Sequence, residues 1–176
     1  MCAKKALVIV DYQNDFVCGS LGFPAAAAIE DALCAKIEAR STEGYDCIFT
    51  FDTHEEDYLS TFEGRHLPVP HCLRGTEGWC LYGKVAALLP LGMGFEKPHF
   101  GSMELVEYLR GQGYNTVEFV GVVTNICVLS NALLARTALP DSEIVVDASC
   151  CASNDENLGK AALDVMEGLQ IAVIGR

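Results

Sequence analysis

Short apolar runs that close on a polar residue constrain this chain most. Lys5 to Val10 is one such run, and it ends at Asp11. It lacks the alternation of a half-exposed strand and suits a strand buried on both faces. Asp46 to Phe51 (Asp-Cys-Ile-Phe-Thr-Phe) and Thr116 to Val123 read the same way, rich in β-branched and aromatic residues. Gly94 to Lys97, Glu143 to Val146 and Gln170 to Ile174 predict three shorter strands. Helical patterns lie between them. Ala27 to Glu43 carries Ile29, Leu33 and Ile37 at intervals of four. Ser102 to Gln112 opens on a capping serine with Glu104 and Glu107 early in the helix. Ile126 to Ala138 is stopped by Pro140, and Asp155 to Gly168 forms the last helix. Strands alternating with helices imply crossover units and a mostly parallel sheet, an α/β fold.

Length and charge narrow the function. The 176 residues fit one domain, 1–176, with no repeat or linker to divide them. With 51% hydrophobic residues the chain can bury a full core. Twelve Lys and Arg against 24 Asp and Glu leave a net charge of −12. That charge disfavours nucleic acid and anionic membranes as partners. No stretch approaches the roughly 20 apolar residues of a membrane helix. The opening, Met1 to Asp11, lacks the layout of a signal peptide, so the expectation is a soluble cytoplasmic protein. The cysteine count, nine, is odd, and no CxxC pair occurs. This argues against both a disulfide framework and a zinc ribbon. The thiols are expected to be reduced, with Cys34, Cys47 and Cys150 acting as small buried hydrophobes.

In open parallel sheets, ligands bind at the carboxyl ends of the strands. Here those ends carry Asp11, then Asp52 and His54, then Lys97, and finally Cys127 after the turn Val122-Val123-Thr124-Asn125-Ile126. Each residue alone has a plain explanation: an acid as turn former, a lysine in solvent, a cysteine in the core. Independent plain causes would not place all of them at four successive strand ends. A cysteine in the first turn of a helix meets the positive end of the macrodipole, which favours thiolate. Lys97 would add positive charge and Asp11 would accept the thiol proton, giving a nucleophile, a base and an electrostatic partner. The backbone N–H groups of Val123 and Cys127 are candidates for an oxyanion hole.

Residues 53–83 are polar and rich in turn formers, and a connection that long is usually functional. Asp52 and His54, two apart on extended chain, point to one side. Glu63, His66 and a proline-bracketed His71 follow. Two histidines with one or two carboxylates suit a borderline divalent metal: zinc first, iron or manganese as alternatives.

At these residues the chain resembles the isochorismatase-like cysteine hydrolases, and within them most of all the nicotinamidases (pyrazinamidases). The resemblance runs through residues 6–16, Asp52-Thr53-His54, residues 71–78, Lys97-Pro98-His99-Phe100 and residues 121–128. It implies a three-layer Rossmann-like fold with a Cys-Lys-Asp triad: Cys127 as nucleophile, Asp11 as base and Lys97 as stabiliser of the thiolate. It implies a metal on Asp52, His54 and His71, with Glu63 as a fourth ligand. It further implies a cis peptide at Val122–Val123, Phe16 near the substrate ring, a homo-oligomer and a place in NAD salvage. The implied reaction converts nicotinamide to nicotinate and ammonia through a thioester. The chain departs from the pattern at two places. Asn125 stands where many relatives carry Asp. Pro68 stands where nicotinamidases place an aromatic that stacks on the substrate, with Phe100, Tyr12 or Trp79 as substitutes. The second departure keeps a related hydrolase of another small amide or an N-carbamoyl compound as the alternative.

Overall fold

The computed structural model describes residues 4–176. Met1, Cys2 and Ala3, at the head of the segment read above for a signal peptide, lie outside the described residues. The strands are β1 (Lys5–Val10), β2 (Asp46–Asp52), β3 (Gly92–Lys97), β4 (Thr116–Val122), β5 (Glu143–Ala152) and β6 (Ala172–Ile174). All pair in parallel, in the order β3-β2-β1-β4-β5-β6. The helices are α1 (Asn14–Val17), α2 (Pro24–Ala28), α3 (Glu30–Thr42), α4 (Phe62–His66), α5 (Gly83–Ala86), α6 (Met103–Gln112), α7 (Leu129–Ala138) and α8 (Glu156–Gly168).

β1 is central, and every residue after Lys5 is buried. Its side chains alternate between two cores. Ala6, Val8 and Val10 pack with Leu105, Ala132 and Met166 of α6, α7 and α8. Leu7 and Ile9 pack with Leu33 and Ile37 of α3 on the other face. Burying each large side chain contributes roughly 1.5–3 kcal/mol, against roughly 1–2 kcal/mol for fixing its backbone. The strand is therefore favoured only when both layers cover it.

The observed elements extend or split the expected ones. Strand β5 runs past Val146 to Ala152, because its polar Asp147 is buried against Lys36 of α3, 2.6 Å away. The expected helix over 27–43 begins earlier, with Pro24 in its first turn, where the missing N–H costs nothing. It breaks at Ile29, and Glu30 then accepts the N–H of Lys84, joining α3 to α5. Strand β3 starts at Gly92, two residues early, on the open edge of the sheet. Strand β6 starts late, since Gln170 has φ +63°. Ser102 and Asp155 cap α6 and α8 as expected, accepting the N–H of Leu105 and Leu158. Ahead of α7, Thr124 to Val128 forms a π-helical turn instead of ordinary helix.

Glycine is required at one point near the strand ends. Gly121 has φ +110°, and a Cβ there would lie 2.2 Å from the carbonyl oxygen of Val10. A side chain would push β4 away from β1 just below Asp11. The cysteines of the described residues are all free thiols, Cys47 and Cys150 buried and Cys34 half-buried.

A buried charge network holds α3 to the sheet. Lys36 meets Glu118 Oε1 at 3.1 Å as well as Asp147, and Arg40 Nε meets Glu118 Oε2 at 2.6 Å. Burial pushes the Asp147 carboxyl up, but Lys36 and the Ser149 hydroxyl outweigh it and hold it below its ordinary value. Lys36→Met removes one partner and should lower unfolding stability by about 3 kcal/mol in urea titrations. A carboxyl depressed in the folded state contributes stability above its ordinary value and loses it as the pH falls. The wild-type chain should therefore lose stability below about pH 4, and Asp147→Asn should start lower and show a flatter acid limb.

Candidate active site

The sheet order places the strand-end residues in a row. Strands β3, β2, β1 and β4 are successive neighbours, and Lys97 is the register partner of Asp52. Asp11 follows β1 in a left-handed conformation, φ +47°, which a non-glycine residue adopts at a cost. The Thr50 hydroxyl donates to its Oδ1 at 2.6 Å, while the Asp11 N–H donates back to Thr50 Oγ1 at 3.2 Å. That pairing leaves Oδ2 free to face the Lys97 ammonium, 2.6 Å away.

Lys97 is the centre of the cluster and is 1% exposed. Its Nζ lies 3.2 Å from Asp52 Oδ1 and 3.6 Å from Cys127 Sγ, and it donates to the His99 carbonyl at 3.0 Å. Burial disfavours the ammonium, but Asp11, Cys127 and Asp52 together hold its pKa well above the ordinary lysine value. Burial raises the Asp11 carboxyl, with Lys97 acting against it. Burial also raises the Cys127 thiol; Lys97 works against that rise, and Asp11, within hydrogen-bonding reach, adds to it. The sequence suggested a thiolate favoured by Lys97 and the helix end. The structure brings the Lys97 ammonium to the sulfur, while burial acts in the opposite direction on the thiol.

Asp52 faces two ways. Its Oδ1 meets Lys97, and its Oδ2 lies 3.1 Å from His54 Nε2 and 3.3 Å from His71 Nε2. Burial pushes its carboxyl up, yet Lys97 and the two imidazoles hold it far below the ordinary range. Asp52, His54 and His71 are all buried, and their donor atoms lie within 4.8 Å of one another. One carboxylate and two imidazoles converging in this way fit a divalent cation. The His71 Nδ1 lies 2.8 Å from the Val69 carbonyl, which leaves Nε2 for the cation. Glu63 Oε1 stands 3.8 Å from both Nε2 atoms, at the edge of this set. His66 is exposed and contacts the Phe62 carbonyl, away from the cluster.

A cavity of about 240 Å³ opens between the two halves of the site. Asp52, Glu63, His71, Val123 and Cys127 reach it, and its apolar walls include Phe16 and Phe100. Of the three aromatics weighed as substitutes for Pro68, only Phe100 lines the cavity. The Tyr12 hydroxyl donates to Ala26 in the core, and Trp79 stacks on Phe51 and donates to Thr53. The wall beside Pro68 is Leu67. The Val122–Val123 peptide is cis.

Several residues that shape the site were not singled out in the sequence. Gln13 accepts the Asp52 N–H at 2.8 Å and donates to the carbonyls of Asp52 and Trp79. Asn14 donates to Glu77, and Asp15 accepts the Cys72 N–H at 2.7 Å. These three consecutive side chains tie the 53–83 excursion to β1 and aim His71. Tyr58 packs against both imidazoles, 4.6 Å from His54 and 5.1 Å from His71. Leu21, Phe23 and Asn154 join the cavity walls. The polar run Gln13-Asn14-Asp15, two residues beyond Asp11, is the one signal in the sequence, since polar residues at a strand end need partners.

Comparison with known proteins adds the family. The Isochorismatase domain profile matches residues 5–176. An isochorismatase family protein of Bacillus subtilis is 36% identical over 149 residues, covering 74% of this chain and 77% of that protein. The nicotinamidase/pyrazinamidase of Mycobacterium tuberculosis is 28% identical over 192 residues, covering 97% of this chain and 98% of its own. The crystal structure of the pyrazinamidase of Pyrococcus horikoshii in complex with zinc superposes with a TM-score of 0.86. It is 27% identical and covers 98% of this chain and 99% of its own. With the fold, the row of strand-end residues and a profile match over nearly its whole length, the chain belongs to the isochorismatase family.

Proposed function

We propose that this protein is a metal-containing cysteine amidohydrolase that converts nicotinamide to nicotinate and ammonia. The observation that carries the reading is the Lys97 ammonium, held between Asp11 and Asp52 with Cys127 Sγ 3.6 Å away, at a cavity beside Asp52, His54 and His71. The relatives and structural neighbours named for nicotinamidase or pyrazinamidase activity support the substrate.

Asp11 takes the Cys127 proton, and Lys97 steadies both the carboxylate and the thiolate. The sulfur attacks the carboxamide carbon, and the oxyanion is received by the N–H groups of Val123 and Cys127. Asp11 returns the proton to the departing ammonia, leaving an acyl thioester on Cys127. Asp11 then accepts a proton from water, which attacks the thioester carbon and releases nicotinate and the thiol. Asp52, His54 and His71, with Glu63 beside them, hold the divalent metal, zinc by donor type with iron and manganese as alternatives. When bound, that metal supplies a Lewis acid for a ring nitrogen or for water. Phe16 and Phe100 flank the substrate ring.

Leu67, an aliphatic wall where stacking would be expected, favours a second reading: another small amide or an N-carbamoyl compound hydrolysed by the same triad. A cytoplasmic enzyme supplying nicotinate for NAD salvage fits the free thiols of the described residues. Exposed Leu158 and Val165 on α8, with Leu169 just past its end, support assembly into a homo-oligomer.

Cys127→Ala should lower ammonia release from nicotinamide by about ten-thousand-fold with an unchanged circular dichroism spectrum; retained turnover would remove the thioester from the mechanism. Zinc at a hundred times its dissociation constant should stabilise the metal-free wild type by about 2.7 kcal/mol. His71→Ala should abolish that rise in thermal unfolding. A variant that still responds in full would place the metal elsewhere.

A further inference from the structure

Asn131 is fully buried in α7, four residues after Cys127. Asparagine is a poor helix former, and a buried amide needs partners. All of its partners lie at the active site or on the segment leading to it. Its Nδ2 donates to the Cys127 carbonyl at 2.8 Å and to the Phe100 carbonyl at 3.0 Å. Its Oδ1 accepts the N–H of Ser102 at 2.9 Å. Both amide hydrogens are thus used, one on the nucleophile's turn and one on the segment that follows Lys97.

That segment, residues 97–102, carries two parts of the site. Lys97 donates to the His99 carbonyl within it, and Phe100 supplies a half-exposed cavity wall. The segment lies tight on α7: a Cβ at Gly101 would come within 2.6 Å of Leu134. Asn131 bonds both this segment and the backbone of the turn holding Cys127. We infer that Asn131 is a positioning residue, which sets the separation of Lys97 from Cys127 and holds Phe100 in the cavity wall. The inference rests on the cysteine-hydrolase reading, and two separate readouts keep the two apart.

Asn131→Asp keeps the shape and the acceptor for Ser102 but replaces both donors with an oxygen facing two carbonyls. Asn131→Ala removes the tie altogether, and it carries the test if the aspartate variant does not fold. Ala135→Gly, on the same helix and buried away from the site, is the matched control for lost stability. The experiment measures Cys127 labelling by iodoacetamide at one pH, quantified on its peptide by mass spectrometry, together with kcat and KM for nicotinamide. The expected result is at least a tenfold fall in labelling rate and kcat, and a raised KM from the loosened Phe100, with Ala135→Gly near wild type at a similar loss in Tm. Wild-type labelling and turnover in the Asn131 variants, with only Tm lowered, would overturn the inference. If the wild type labels fast but releases no ammonia from nicotinamide, the substrate assignment fails, and the labelling rates alone decide the role of Asn131.

Discussion

A lysine ammonium almost wholly removed from water is the constraint on which the rest of this structure depends. Taking such a charge out of water costs several kcal/mol unless opposite charges and hydrogen bonds surround it. Lys97 has two carboxylates, a carbonyl and a thiol around it. The sheet order delivers these groups. With β3, β2 and β1 adjacent, Lys97 and Asp52 at the ends of their strands and Asp11 just after β1 stand side by side, and the turn after β4 brings Cys127 from the other side. Moving any one of these strands would leave a buried charge without its partner.

Asp52 carries the influence of that lysine into the second half of the site. One oxygen meets Lys97 and the other meets both imidazoles. The carboxylate therefore links the thiol cluster to the donor set for a metal, and the cavity opens between them. The imidazoles have their own supports: the Val69 carbonyl behind His71 and the Tyr58 ring against both. Gln13, Asn14 and Asp15 anchor the long excursion that delivers His71. A segment that runs more than 30 residues without a strand is thus held in place by three polar side chains next to Asp11.

Much of this was legible in the residues. The strands β1, β2 and β4 are dense apolar runs, and burial on both faces is the only arrangement that suits them. The candidate residues Asp11, Asp52, His54, Lys97 and Cys127 were visible because each closes a strand or opens the turn after one. Residues at other places were hidden. Asp147 and Ser149 look like the end of a strand, since nothing local shows that Lys36 will cover them. Leu67 is one of many apolar residues in the sequence and is marked only by the cavity it lines, and Asn131 reads as an ordinary polar residue in a helix until its three partners, 4, 29 and 31 residues away, come together.

The sequence by itself determined the α/β alternation, the chemistry available at the strand ends and the family pattern, because these rest on local apolar periodicity and on residue types a few positions apart. Only the tertiary structure decided the burial and pairing of those groups. Burial raises the Cys127 thiol, Lys97 is shared by two acids, and Asp52 divides its oxygens between lysine and imidazoles. Each depends on desolvation and on distances of 2.6 to 3.6 Å between residues from different strands, which no local pattern encodes.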